Sequence, residues 1–434
     1  MKHLTLILLL AIITPLWART PRPTPTPPIP ETTPENDMAR FLAGLPVWEG
    51  SPLSRIQHHT EYTPHRRRMS NLWDHYSVNF FEPMRTWSRD TLVPRIDTSL
   101  PLVYFFGGPD AVNMLALFPD TPLYLMGGLE PVGQISEATE MDAHALDEAL
   151  GHFRQSVEGV LSYGYFITKD MKEQLDRAAF RGVLPLLYVA IALTGGDVTS
   201  SVTFEITKDG RSVATGEGGE GAAPAVRVNF RNKAGTIQTI AYCQANLSNE
   251  SLAANPAPLK WVTSFGKPNN TYLKSASYLM HEGSFSTVRN FLLTYSQAIL
   301  QDDSGIPFKA FSPERWRIWL FGTYNETLEI FKKYHQGDLL AAFQTGDVQP
   351  LPFGTGYKFE KGQSNLLLAT RGSGGVVKRS QENHEPSAHV DSTSLPYRPE
   401  HTIPTSTPII PSTPSIPSPP SEPPTIIIGG GEDT

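Results

Sequence analysis

Apolar positions along this chain follow two different rhythms. Between Ser70 and Arg89, Trp73, Tyr76, Phe80, Phe81, Met84 and Trp87 recur at helical spacing, which predicts a helix with one aromatic face. A shorter helical stretch, Met38–Leu45, precedes it, and the two read as a cover lying on a domain. From Leu102 the pattern changes to short continuous apolar runs. Leu102–Phe106 and Pro122–Met126 read as buried strands, and Pro109 suits the first turn of a helix over 110–118. That crossover predicts parallel pairing, because a hairpin would need far less chain.

Further along, helices are expected over 142–162 and 168–178, the second with Thr168 as its N-cap and Asp170 in its first turn. Leu184–Leu193 and Val198–Ile206 read as a hairpin joined by Thr194-Gly195-Gly196-Asp197. Val226–Phe230, Thr236–Ala245, Leu259–Phe265 and residues 272–280 add strand character. A helix over Thr287–Gln301, capped by Ser286, comes next. Late strands at 316–324 and 364–371 flank a helix at Glu326–Tyr334. The expected fold is α/β: a Rossmann-like mixed sheet, parallel among its early strands, with antiparallel additions and a helical N-terminal cover.

Composition separates the ends from this middle. Residues 1–18 pair a short basic start with the apolar run Leu4–Ile13 and close on Ala18, the pattern of a secretory signal peptide. That run is shorter than the roughly 20 residues a membrane span needs. Residues 19–37 read as a Pro/Thr-rich linker, and 372–434, Gly/Ser-rich and then Pro/Ser/Thr-rich, as a disordered tail. Residues 38–371 are left as a single α/β domain with N-terminal helices. The expected location is secreted or periplasmic, with no transmembrane span after signal cleavage. Cys243 is the only cysteine, so no internal disulfide can form, and its apolar surroundings predict an inert buried thiol. A formal charge of -7 argues against nucleic acid as a partner. His65-Arg66-Arg67-Arg68 reads as a solvated basic turn, with contact to anionic lipid or cell-wall polymer as the alternative.

Chemistry concentrates where the first two strands end. Each stops at a glycine pair followed closely by an acid: Gly107, Gly108 and Asp110, then Gly127, Gly128 and Glu130. Ligands of open α/β sheets bind beyond the carboxyl ends of the strands, and glycine lets backbone approach them closely. There is no G-x-G-x-x-G, Pro109 lacks an N–H, and Asp110 repels phosphate, so an amine or sulfonium suits this pocket better. The plainer alternative is that the glycines merely end strands while Asp110 caps a helix. Lys274 and Arg289 are basic side chains able to face the same pocket. His281-Glu282 after a strand and Asp302-Asp303-Ser304-Gly305 after a helix carry carboxylates able to bind a cation or share a proton, with ordinary turn chemistry the favoured reading of Asp-Asp-Ser-Gly. No metal site is expected. With no H-E-x-x-H, Walker loop, G-x-S-x-G or S-x-x-K, no catalytic residue is assigned.

The stretch LVYFFGGPDAVNMLALFPDTPLYLMGGLEPVG, residues 102–133, resembles the Rossmann-type methyltransferases. That resemblance implies S-adenosylmethionine as cofactor, with Asp110 and Glu130 orienting it. More broadly, FGGPD…GLEPVG together with TYLKSASYLMHEGSFSTVRNFLL, ILQDDSGIPF and LPFGTGYKFEKGQSNLLLATR is similar to a set of exported bacterial proteins without an assigned activity. This implies export and one folded unit, and carries no catalytic residue over. The leading expectation is a non-catalytic protein of the envelope or exterior, without a cofactor, binding a small molecule or envelope component near Asp110 and Glu130. The alternatives are a descendant of the transferases and a structural adaptor presenting its Pro-rich tail to the envelope.

Overall fold

Leu102–Phe105 (β1) and Leu123–Gly128 (β2) pair in parallel, with Leu102 opposite Tyr124 and Phe105 opposite Gly127, and the helix Ala111–Leu117 crosses between them. The computed structural model that places them describes residues 32–163, 179–266, 268–372 and 374–377. The signal segment, the expected 168–178 helix and nearly all of the tail lie outside the described residues.

Two short strands, Gln134–Ile135 (β3) and Phe180–Arg181 (β4), make a small antiparallel sheet. The remaining strands are Asp197–Ile206 (β5), Ser212–Ala214 (β6), Ala223–Arg231 (β7), Ile237–Gln244 (β8), Asn269–Leu273 (β9), Ser296–Gln301 (β10), Trp316–Gly322 (β11), Val348–Gln349 (β12), Asn365–Arg371 (β13) and Gly375–Val376 (β14). With β1 and β2 they form one twelve-stranded sheet, ordered β12-β11-β13-β10-β9-β1-β2-β8-β7-β5-β6, with β14 also on β11. Its centre, β8-β2-β1-β9-β10, is parallel throughout. The chain starts in the middle at β1, steps to β2 and β8 on one side, then returns to β9 and β10 on the other. This is the doubly wound, Rossmann-like plan, and the winding reverses between β1 and β9. Antiparallel β7, β5, β6 and β13 extend it, as the later strands of the sequence predict.

Strand alternation divides the core into two layers. Leu102, Tyr104, Tyr124, Met126, Tyr242 and Tyr272 point to the face covered by the N-terminal helices, Ala111–Leu117, Ala143–Tyr163 and Val183–Leu193. Val103, Phe105, Leu125, Cys243, Leu273 and Ile299 point to the other face, against Trp261 of the helix Ala257–Ser264 and Leu292 of the helix Ser286–Tyr295.

The N-terminal cover is present and longer than its aromatic row implies. Helix begins at Tyr62 and runs through Tyr76, with π-helical turns at Ser77–Phe81 and Ser88–Leu92 around an α-helical turn at Glu82–Trp87. The π turns have a visible reason. Tyr76 to Phe81 and Trp87 to Leu92 are five-residue steps between buried positions, and a wider turn keeps both ends of each step on the core side. Trp87 packs edge-on against Phe321 and Phe353 at 5.0 and 5.6 Å. His65-Arg66-Arg67-Arg68 therefore lies inside a helix and is not a turn: Arg66 to Arg68 are exposed, and His65 is buried against the Leu42 carbonyl at 3.0 Å.

Several expectations are corrected. Leu184–Leu193 is helix, Val183–Leu193, and not the first arm of a hairpin; every residue of it is buried, and an all-round apolar run carries no period to tell helix from strand. Thr194 to Asp197 accordingly leads from that helix into β5. Leu259–Phe265 belongs to the helix Ala257–Ser264, burying Trp261 and Val262. The strand expected over 272–280 ends at Leu273. Thr287–Gln301 is a helix to Tyr295 followed without a loop by β10, and Ser286 is the first helical residue, with Phe285 at the cap. Of Glu326–Tyr334 only Glu329–Tyr334 coils, as a 3-10 segment. At the ends, the helix Pro34–Leu42 starts inside the expected linker, because Thr33 caps it by accepting from the Asn36 N–H and Asn36 bonds Asp197 and Val198. At the other end β14 continues the fold beyond Arg371.

Candidate functional site

The carboxyl ends of β8, β2, β1 and β9 converge on a cavity of about 110 Å³ beside the point where the winding reverses. Of the six sequence-predicted residues, Asp110, Gly128 and Glu130 line it, while Gly107, Gly108 and Gly127 do not. Lys274, Ser275 and Ser277 from the end of β9 add polar wall, and Phe106, Leu129 and Phe285 add apolar wall. Leu129 is 55% exposed and sits at the rim.

Asp110 follows Gly107-Gly108-Pro109 and opens the helix Ala111–Leu117, yet its side chain makes no capping bond. It turns inward. Lys274 Nζ lies 2.5 Å from Asp110 Oδ2, the Tyr104 hydroxyl donates to the same oxygen at 2.9 Å, and Asn113 Nδ2 donates to Oδ1 at 2.8 Å. Tyr76 of the cover donates to Asn113 Oδ1 at 2.6 Å, so the cover helix fixes the orientation of the network. Burial, and after it the Asp110 charge, holds the Tyr104 and Tyr272 hydroxyls well above their ordinary range.

Glu130 is buried beside Tyr242, whose hydroxyl donates to the Glu130 carbonyl at 2.8 Å and lies 3.4 Å from Oε2. The Tyr242 hydroxyl is likewise held up, by burial first and Glu130 second. A Cβ on Gly128 would sit 2.6 Å from Glu130 Oε2, so glycine there is what lets the carboxylate fold back over the end of β2. Gly107 and Gly127 serve packing. A Cβ on Gly107 would lie 2.5 Å from the Tyr104 ring, and one on Gly127 3.0 Å from the Phe105 ring.

Backbone strain is concentrated here. Among the described residues, the non-glycine positions with left-handed backbone are Phe106 (φ 63°), Ser275 (φ 51°), Ser277 (φ 51°) and Tyr278 (φ 55°). The first three line the cavity and the fourth closes the same turn. The segment Asp302-Asp303-Ser304 braces that turn. Asp302 Oδ2 accepts from the Ser275 N–H at 2.9 Å, Ser304 Oγ accepts from the Ala276 N–H at 2.8 Å, and Asp303 accepts from the Tyr278 hydroxyl. Tyr357 adds a further tie, donating to the Ser275 carbonyl at 2.9 Å and accepting from the Ser277 N–H at 3.1 Å. Burial, then Asp303, raises the Asp302 carboxyl to about 6.

Other candidates fall elsewhere. Lys274 faces the cavity as its position allowed, whereas Arg289 donates to the Met280 carbonyl at 2.6 Å. Glu282 pairs with Lys333 at 3.1 Å on the surface, and burial pushes the His281 imidazole down to about 4. Cys243 is buried and its thiol is pushed up to about 12, which leaves it inert at neutral pH. No group of three or more metal-ligating side chains gathers among the described residues. Sequence reasoning missed the strained turn because Lys274-Ser275-Ala276-Ser277-Tyr278 alternates like a strand, and no glycine or asparagine announces left-handed backbone.

Comparisons with protein-family models, with curated proteins and with solved structures each find no match to this chain.

Proposed function

We propose that this chain is an exported, non-catalytic binding protein that takes a small amphiphilic molecule in the strand-end cavity. The donor-bearing head of the ligand meets Glu130, and its apolar body lies against Phe106, Leu129 and Phe285. The observation that carries this reading is the clustering of left-handed, non-glycine backbone at one cavity wall. Each such residue costs roughly 1–3 kcal/mol and persists where its surroundings over-determine it, which is characteristic of ligand clamps and active sites. The charge balance sets the ligand class. Asp110 and Glu130 outnumber Lys274 among the charged residues of the lining, so a donor is favoured over an anion. The cavity of about 110 Å³ is below the roughly 300 Å³ at which pockets for drug-sized ligands begin, which favours a compact ligand. Tyr104 and Tyr242 stay protonated at neutral pH. Export rests on residues 1–18 and the likeness to exported proteins.

A second reading has its own support. Glu130 follows the second parallel strand, about twenty residues beyond the first turn, where doubly wound folds hold a ribose diol. A nucleoside-bearing ligand of the S-adenosylmethionine class belongs to this reading. Lys274 occupies the cationic seat beside Asp110. No transfer step is derived.

Native mass spectrometry of the exported, full-length chain tests both readings. The panel is small aryl and alkyl amines, diols, nucleosides, S-adenosylmethionine and S-adenosylhomocysteine. A 1:1 adduct with a small amine or diol, lost in Glu130→Gln, is the expected result. Adducts confined to the adenosyl compounds favour the second reading, and a bare protein across the panel overturns both. N-terminal sequencing of the exported form checks cleavage after Ala18.

A further inference from the structure

We infer that the turn Ser275–Tyr278 is a latch on the cavity, tied shut by the adjacent carboxylates Asp302 and Asp303, and that acid closes it further while neutral pH loosens it. The inference uses the proposed binding site only for its consequence, since the latch itself can be observed without a ligand.

The geometry is that of a loaded element. Three of the four residues in the turn hold left-handed backbone without being glycine, so the turn favours a different conformation when untied. Its ties come from the ends of neighbouring strands: Asp302 grips the Ser275 N–H, Ser304 the Ala276 N–H, and Asp303 the Tyr278 hydroxyl. Asn365 at the start of β13 steadies Asp303, donating to Oδ1 at 2.9 Å. Gly356 packs directly on Asp302, where any Cβ would collide with Oδ2. Release of the turn therefore moves the wall that carries Ser275 and Ser277.

Asp302 is 3% exposed and has its sister carboxylate beside it, so its charge is costly only while the latch is closed. The groups facing it are Asp303 next in the chain, Tyr104 from β1, Tyr272 from β9 and Tyr278 from the turn, with Tyr357 tied to the Ser275 carbonyl. The hydroxyls of Tyr104, Tyr272 and Tyr278 are held far above the acid range and stay protonated through it. The Lys274–Asp110 pair shares Tyr104 as a neighbour. When the turn opens, Asp302 meets water and its carboxyl returns toward the ordinary range near 3.8. The closed form thus holds a proton more firmly than the open form. Closure gains fully below about 3.8, and the gain is lost as pH rises through about 6. Protonation keeps the ties, because the Ser304 hydroxyl, 2.5 Å from Oδ1, can rotate from donor to acceptor.

Amide hydrogen exchange on the full chain, expressed as protection factors to remove the intrinsic pH dependence, reads the latch. Between pH 4.5 and 7.5, protection at Ser275 to Leu279 should fall roughly 20-fold, with β1 and β2 unchanged. Asp302→Asn should flatten that dependence while keeping protection high. Carboxyl ¹³C titration of the unmodified protein supplies an independent readout: Asp302 should titrate near 6. A pH-independent turn, a dependence that survives in Asp302→Asn, or an Asp302 midpoint at its ordinary value would each overturn the latch. Ligand affinity enters none of these measurements, so a failed binding reading and a failed latch are told apart.

Discussion

Lys274 Nζ and Asp110 Oδ2 lie 2.5 Å apart with side chains only 2% and 3% exposed, an ion pair joining β9 to the turn after β1 across the line where the winding reverses. The acid that appeared suited to an incoming cation has been met by the protein's own. Breaking one half of such a pair leaves a buried charge without compensation, whereas replacing both halves by apolar groups is often nearly neutral. Lys274→Met should therefore destabilise by about 3–5 kcal/mol in urea unfolding, and Lys274→Met with Asp110→Leu should recover much of that loss. Equal losses in the single and double variants would mean the pair contributes through shape alone.

The two glycine pairs should separate into packing and site. Gly107→Ala presses a methyl into the buried Tyr104 ring and should destabilise by about 1–3 kcal/mol. Gly128→Ala crowds the end of the Glu130 side chain and the Tyr242 hydroxyl and reaches the Gly108 backbone only at ordinary contact distance, so it should fold with less than about 1 kcal/mol lost. Its effect should appear in binding, as a loss of the adduct seen with the unmodified chain. Calorimetry on both variants, with native mass spectrometry on the second, makes the comparison.

Strain in the latch predicts an unusual tolerance. Ser275→Gly fits a φ of 51° better than serine does, and should leave the melting temperature unchanged or raised. Ser275→Val puts a β-branched side chain in left-handed backbone and should lower stability by about 1–3 kcal/mol. Thermal unfolding that ranked valine above glycine would remove the strained turn from the account.

His65 predicts a separate pH dependence at the other end of the molecule. Burial, and then the Arg154 guanidinium, pushes its imidazole down to about 4 from an ordinary value of 6.5. The native state holds His65 neutral, so its contribution is complete above 6.5 and is lost as pH falls through about 4. The lost contribution is about 3 kcal/mol at most. Between pH 7 and 4 the urea midpoint of the unmodified protein should drop relative to that of His65→Gln, whose amide can still donate to the Leu42 carbonyl; the opposing Asp302 contribution is common to both and cancels in the comparison.

Local sequence pattern was enough for β1, its crossover helix and β2, because a short apolar run ending in glycine, a proline and a second apolar run leave few alternatives to a parallel pair. It was also enough for the cover helix, since six aromatic and sulfur side chains at helical spacing have one economical reading. It failed for Val183–Leu193 and Ala257–Ser264. Burial on all sides erases the period in the first, and the second is a short run whose apolar residues suit either element.

The sequence by itself determined that an acid would follow each of the first two strands and that glycines would stand beside them. Only the tertiary structure decided what those residues meet. Lys274 lies far along the chain from Asp110, and Asp302 from Ser275, and no local preference links either pair. They meet because parallel strands must cross over before they pair, which brings the carboxyl ends of distant segments to one edge. Left-handed backbone at Ser275, Ser277 and Tyr278 is likewise invisible in residues without a preference for it. It exists because the packed ends of β9, β10 and β13 hold the turn there.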